Sequence, residues 1–457
     1  MKKILITFAI TGLFALQGWS QVAEDAIRVR QQEFGFGARY LAMGGNGVAL
    51  ADDYSAIYWN PAGLASVRST QMMGEFSHLR FENEAAFQNN MMSTDETFTR
   101  LRNLGFAVPF PTTRGSFVVG FGYNFVKDFD DYLYFSGYNP LSNGLEFELE
   151  NNSTYNWYPF DQEVEQQEEV ISEGGLHQWS LGAAMALSPN FDIGATLNFW
   201  RGEEDYRMHF QQEDVDDLYN VFPADFFSYS VDQTIISEYS GAGMKLGGMF
   251  KMNPFTRLGM SVEFPTTFNV LEKYSFSDEL VFDDGYSDAI EDPPGEWEYE
   301  VRTPYRFDAG IGVSAENINL TAGATYQDWS QTKFQMPDDY PFDEDYRDLL
   351  DENTFIRQDY QETINYHLGG ELLIPNNNLM LRAGYAYFPS PLKDAVSDLN
   401  RKYYSGGIGL KVGKQSRLDL TYVRGNWSRE SSDSYTPGGT LEDITEHRIY
   451  VGFNIEF

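Results

Sequence analysis

The stretch Phe191-Asp192-Ile193-Gly194-Ala195-Thr196-Leu197-Asn198-Phe199 alternates without a break. Phe191, Ile193, Ala195, Leu197 and Phe199 fall on one face, and Asp192, Gly194, Thr196 and Asn198 on the other. Successive side chains of an extended chain point to opposite sides, so the stretch predicts a strand with one apolar face and one small or polar face. The pattern recurs in Ile318-Asn319-Leu320-Thr321-Ala322-Gly323-Ala324-Thr325-Tyr326. It recurs again at the C-terminus, where Ile449, Val451, Phe453, Ile455 and Phe457 alternate with Tyr450, Gly452, Asn454 and Glu456. Read along the chain, such segments predict fourteen strands, at 70–83, 101–110, 115–126, 176–188, 190–201, 237–252, 255–264, 301–314, 317–330, 361–374, 378–388, 402–413, 415–426 and 446–457.

The connections between them alternate between short and long. Pro111–Arg114, Ser188–Asn190, Asn253-Pro254, Glu316-Asn317, Pro375–Asn378 and Gly413–Gln415 carry turn chemistry. The segments 84–100, 127–175, 202–236, 265–300, 331–360, 389–401 and 428–445 read as long loops. Outer-membrane barrels show this asymmetry, with tight periplasmic turns and long extracellular loops, and closure leaves no unpaired strand edge in lipid. Aromatic residues near strand ends, among them Phe106, Phe110, Phe125, Phe199, Trp200, Phe255, Trp329, Phe388, Tyr403, Tyr404 and Trp427, read as interfacial girdles.

Composition supports that reading. The 457 residues hold 32 Lys+Arg against 68 Asp+Glu, a net charge of −36, so a nucleic-acid backbone would meet no basic footprint. Aromatics make up 16% of the chain, far above the level of a disordered acidic polymer. Cysteine is absent, which excludes disulfides, thiolate metal sites and a lipoprotein anchor. Mean hydropathy is −0.42, and past the first residues no apolar run is long enough for a membrane helix. The N-terminus has the form of an export leader: Met1-Lys2-Lys3, an apolar run from Ile4 to Leu16, then Gln17-Gly18-Trp19-Ser20-Gln21 with cleavage expected before Gln21. The expected division is a signal peptide at 1–20, an N-terminal hatch at 21–69 and a barrel at 70–457.

The segment after the leader is rich in small residues, lacks sustained alternation and ends in Asn60-Pro61-Ala62-Gly63. A barrel of this size would leak unless its lumen were occupied, so a compact segment that is neither strand nor linker reads as a plug. Asn60-Pro61 suits a turn at a helix end, with the Asn side chain bonding its own backbone. Arg39 could pair with Asp52 or Asp53 inside the barrel, or stand solvated at its mouth. The run Gly37-Ala38-Arg39-Tyr40, then Gly45-Asn46-Gly47-Val48-Ala49-Leu50-Ala51-Asp52-Asp53, then Asn60-Pro61-Ala62-Gly63-Leu64 resembles the N-terminal hatch of the FadL/TodX family of outer-membrane transporters for hydrophobic compounds. The resemblance implies an all-β transmembrane antiparallel barrel of fourteen strands with the hatch in its lumen. It also implies capture of a long-chain fatty acid or other hydrophobic compound by the loops, passive passage to a site in the upper barrel, and release by a hatch shift, often through a kinked strand. Gly120 and Gly122 of the third strand are candidates for that kink. The same motif occurs in relatives that act in protein export, which gives the alternative of a docking barrel for a secretion system.

The long segments carry most of the charge. Residues 127–175 hold twelve acids and one base, Lys127, and residues 265–300 hold eleven acids and one base, Lys273. They read as a solvated surface, as carboxylates that divalent cations could bridge to one another or to lipopolysaccharide, or as a docking surface; such a mouth disfavours small anions as cargo. Runs such as Asp338-Asp339 and Asp343-Glu344-Asp345 lack the ligand ladder of a calcium loop. No nucleophile elbow, zinc-protease motif or phosphate loop occurs, and the five histidines are scattered, so neither an enzyme nor a cofactor is expected. The expected location is the outer membrane of a diderm bacterium, with long loops outside, membrane lipid and lipopolysaccharide around the wall, and Phe457 as the terminus read by the barrel-assembly machinery.

Overall fold

The computed structural model describes residues 22–31, 35–140, 142–151, 154–337, 345–375, 378–413, 415–436 and 438–457. The export leader, Phe34, the acidic run 338–344 with Tyr340, the turn residues Asn376 and Asn377, and Lys414 lie outside the described residues. Alternation dictates the wall. Its strands are β1 (Gln71–Phe87), β2 (Asn90–Phe110), β3 (Phe117–Asp128), β4 (Val164–Ser188), β5 (Phe191–Glu213), β6 (Phe226–Lys251) and β7 (Thr256–Glu263). The circuit continues through β8 (Arg306–Ser314), β9 (Ile318–Asp328), β10 (Glu362–Ile374), β11 (Leu379–Phe388), β12 (Arg401–Val412), β13 (Ser416–Ser431) and β14 (Thr440–Glu456). Each pairs antiparallel with its sequence neighbour, and β14 returns to β1 with Ile455 opposite Met72, so the barrel closes on fourteen strands. The Phe457 N–H completes the seam by donating to the Thr70 carbonyl at 2.8 Å.

The wall is taller than the sequence pattern implies. On β5 the outward residues Phe191, Leu197 and Phe199 are exposed, as a lipid-facing belt requires, but the ladder continues past Arg201 to Glu213 against both neighbours. Those extra residues add roughly 40 Å of strand length. Their outward positions are Arg201, Glu203, Asp205 and Arg207, while Tyr206, Met208 and Phe210 lie on the inward face, so the apolar residues change sides and the lipid-facing pattern ends while the hydrogen bonding persists. The segments expected as loops are therefore largely strand. Residues 84–100 form a hairpin turning at Gln88-Asn89, and 131–139, 267–282, 287–291, 295–302 and 333–335 join the same sheet. The hairpin 146–151/154–159 forms a second, two-stranded sheet, and helix Asp345–Asp359 occupies much of 331–360.

A further expectation is corrected. The strand expected at 301–314 breaks at Thr303-Pro304-Tyr305, opposite a break at Phe264-Pro265-Thr266, because proline has no N–H to give the ladder. Thr303 bridges the two breaks, its N–H donating to the Thr266 carbonyl at 2.9 Å and its hydroxyl accepting from the Thr266 N–H at 3.0 Å. Gly120 and Gly122, the candidates for a kink, lie in unbroken register with β2 and β4; the register shift in β3 falls between Phe125 and Lys127, and β2–β3 pairing ends at Asn103 opposite Asn124. Of the expected girdle, Phe106, Phe110, Phe199, Phe255 and Tyr404 are exposed, whereas Phe125, Trp200, Trp329, Phe388, Tyr403 and Trp427 are buried.

The second face of the alternation seats the N-terminal segment. Residues 36–67 are almost wholly buried and form short helices at Ala38–Leu41 and Ala56–Trp59 and a 3-10 turn at Pro61–Ser66. Wall glycines make the room: a Cβ at Gly194 would overlap Pro61, at Gly247 Asn60, at Gly259 Val48, at Gly369 Met43 and at Gly384 Gly44. At Gly122 it would overlap the Tyr54 hydroxyl, which is what the glycine there serves. Small hydroxyls supply the donors that a short, irregular segment leaves its carbonyls needing. Thr196 donates to Ile57 at 3.1 Å, Ser405 to Ala42 at 3.0 Å and Thr421 to Ala38 at 2.7 Å.

Gly384→Val is expected to lower stability by about 1–3 kcal/mol through overpacking against the Gly44 backbone. Gly406→Val, where a new Cβ meets only the Arg382 carbonyl at 3.7 Å, should change it little. Denaturant unfolding in detergent micelles checks both, and equal effects would contradict the seating described.

Candidate functional site

The hatch motif residues assemble around one turn. Asn60 caps the 3-10 turn through its side-chain oxygen, which accepts from the Ala62 N–H at 3.1 Å. Its amide donates to the Val48 carbonyl at 2.9 Å and to the Gly248 carbonyl of β6 at 3.0 Å, tying two hatch segments and the wall together. Pro61 opens the turn where no N–H is needed, and Ala62 is fully buried. Gly37 (φ +98°) starts the Ala38–Leu41 helix, whose first N–H groups are held by Glu75 of β1, at 3.2 Å for Gly37 and in close contact for Ala38. Gly45 adopts φ +66°, and a Cβ at Gly47 would overlap Trp59.

Arg39, Asp52 and Asp53 enter a chain of charges that leaves the hatch and returns to it. Arg39 meets Asp52 at 2.8 Å and Glu371 of β10 at 2.9 Å. Glu371 also binds Arg382 of β11 at 2.7 Å, and Arg382 binds Asp419 of β13 at 2.7 Å. Arg417 closes the circuit by meeting Asp419 at 2.7 Å and Asp53 at 2.8 Å. Sequence reasoning missed the wall half of this circuit. Its signal is nevertheless readable, because Arg382 and Asp419 each sit between leucines or small residues at an inward position of a membrane strand, where a charge is costly unless paired.

Above the hatch the lumen is open. Two cavities, of about 380 and 980 Å³, flank helix α1 (Ala23–Arg28), and Glu24 and Arg28 line both. Arg28 is held by Glu204 of β5 at 2.6 Å, Arg30 by Glu263 of β7 at 2.7 Å, and the Ala23 N–H by Glu352 of the 345–359 helix at 2.9 Å. The smaller cavity is walled by the inward aromatics Phe81, Phe129, Trp329, Phe388, Tyr403 and Trp427. Its charges balance: Arg102 and Arg448 clasp Asp128, and Arg401 stacks over Trp427 at 3.9 Å. The larger cavity has aromatic and aliphatic walls from Leu133, Phe135, Val170, Tyr206, Ile235 and Trp297, with carboxylates between them. Among the described residues no group of three or more His, Asp or Glu side chains is arranged to hold a metal ion. Such a site can bind by apolar area, with polar groups fixing orientation. Phe457 lies apart at the opposite rim, with its side chain exposed.

The fold is shared with solved outer-membrane channels. A FadL homologue of Pseudomonas aeruginosa superposes with a TM-score of 0.58 at 13% identity, over 93% of this chain and 98% of that one. The P. putida toluene transporter TodX gives 0.59 at 14% identity, over 93% and 99%. The Ralstonia pickettii toluene transporter TbuX gives 0.52 at 14%, over 93% and 99%. No curated protein matches at the level of sequence. The sequence profile of one family matches residues 175–438, more than half of the chain, and with the closed fourteen-stranded wall it places the protein: it belongs to the outer membrane protein transport protein family, OMPP1/FadL/TodX.

Proposed function

We propose that the protein carries hydrophobic compounds inward across the outer membrane by passive diffusion, with the tall rim outside the cell and the tight turns in the periplasm. The observation that carries this reading is the pair of aromatic-walled cavities above a filled lumen. A docking barrel for a secretion system would need no such space and could be plugged throughout. Toluene is the named cargo of two of the structurally similar channels, and long-chain fatty acids or other hydrocarbons are equally compatible with walls of this chemistry. Cargo enters at the tall rim, rests in the cavities beside α1, and leaves when the hatch shifts.

The charge circuit through Arg39 is the latch in this scheme, since hatch movement must part Arg39 from Glu371 and Arg417 from Asp53. Removing Arg39 leaves Glu371 with Arg382 as its cation and the circuit one positive charge short, at a cost below the ~3–5 kcal/mol of a wholly unpaired buried charge. Arg39→Met should therefore loosen the hatch and raise the frequency of open events in single-channel recordings. Arg39→Met combined with Glu371→Gln should regain much of the stability while the openings persist. Openings no more frequent than in the parent channel would remove the latch assignment.

Saturable binding of a fluorescent long-chain fatty-acid analogue to the detergent-purified protein, with competition by fatty acids, alkanes and aromatics, tests the cargo reading. Val423→Trp, which fills the smaller cavity at a buried lining position, is expected to weaken binding at least tenfold. No saturable binding by the folded barrel would favour the docking role instead.

A further inference from the structure

The larger cavity is short of positive charge. Nine carboxylate side chains and three guanidinium groups line it among the described residues. The guanidinium groups are already engaged: Arg28 with Glu204 at 2.6 Å, Arg429 with Asp131 and with Glu442 at 2.7 Å, and Arg347 with a partner of its own. Glu168, on the inward face of β4 well beyond the lipid belt, is left without a cation. It is 3% exposed, lines the cavity, and its Oε2 atom has no hydrogen-bond partner. Burial first, then Asp433, by charge and by side-chain contact, and Glu442 push its carboxyl up to about 10, so near neutral pH it holds its proton and ionises only when a cation enters beside it. The walls beside it are apolar and aromatic: Leu133, Phe135, Val170, Tyr206 and Trp297, the last stacked on Tyr346 at 4.5 Å with its indole N–H unpartnered. An aromatic wall next to a buried carboxyl with no cation of its own favours an organic cation, which displaces the acid proton and is held by ion pairing and by the attraction of cations to ring faces.

We infer that the larger cavity selects cationic amphiphiles, organic ammonium compounds on an aromatic or aliphatic body, with Glu168 as their counter-ion. The inference rests on the uptake reading above and narrows its cargo. An acid-lined mouth also concentrates cations ahead of this cavity.

Three fluorescent probes sharing one apolar body test it on the full-length purified protein: 1-naphthylmethylamine, 1-naphthalenemethanol and 1-naphthoate, near neutral pH and at low salt. The expected order is amine at least tenfold tighter than alcohol, and alcohol tighter than carboxylate. Glu168→Gln should lower amine affinity at least fivefold and leave the alcohol unchanged. Glu430→Gln, which removes a carboxylate from the same lining, should change the amine less than twofold. Equal binding of amine and alcohol, or an amine preference untouched by Glu168→Gln, overturns the inference while leaving uptake of hydrophobic compounds intact. Failure of all three probes to bind the folded protein overturns both. Should Glu168→Gln not fold, the amine and alcohol comparison on the parent protein still decides.

Discussion

Everything in this molecule depends on keeping a short, irregular segment dry inside a barrel. Residues 36–67 form only three short helical pieces, and although local turns satisfy many of their N–H groups, carbonyls such as those of Ala38, Ala42 and Ile57 are reached by wall hydroxyls. A buried, unpaired peptide group costs about as much as a lost hydrogen bond, so the wall must supply partners at close range. Glycine lets the wall approach the hatch backbone, and threonine, serine and asparagine side chains complete its hydrogen bonds. The face of each strand that lipid does not see is thus specified as tightly as the face it does.

That constraint explains the opening stretch of sequence twice over. Phe191, Leu197 and Phe199 face outward, while Gly194 lies under Pro61 and Thr196 holds the Ile57 carbonyl. It also explains why charges are tolerated within the span. Arg39, Glu371, Arg382, Asp419 and Arg417 alternate in sign along one circuit, so each buried charge has an opposite neighbour on either side. Such a circuit contributes little net stability, since desolvation offsets the attraction, but its reciprocal pairs tie the hatch to one position on the wall.

Strand number, closure and the plug were legible because each leaves a local mark: period-two alternation, turn residues between strands, and a segment without either. The height of the wall was not legible. Beyond Arg201 the apolar residues of β5 turn inward as Tyr206, Met208 and Phe210 while the outward face becomes charged, so the strand loses the apolar outer face that marks a membrane span. The proline breaks at Pro265 and Pro304 were readable in principle and were hidden by the charge density around them. Inward charges at Arg382 and Asp419 stood out from their neighbours, but their partners lie on strands and a hatch far away in sequence. The cavities beside α1 could not be read at all, because their walls gather residues from most of the strands and from the segment that divides them.

The account stands or falls on the hatch as the filler of the lumen. Ion conductance of a barrel lacking residues 22–67, reconstituted in planar bilayers beside the full-length protein, tests this most directly. A large, steady conductance in the truncated barrel, absent from the intact one, is the expected result. A truncated barrel that inserts, keeps its β-sheet circular dichroism and stays as closed as the intact protein would contradict it.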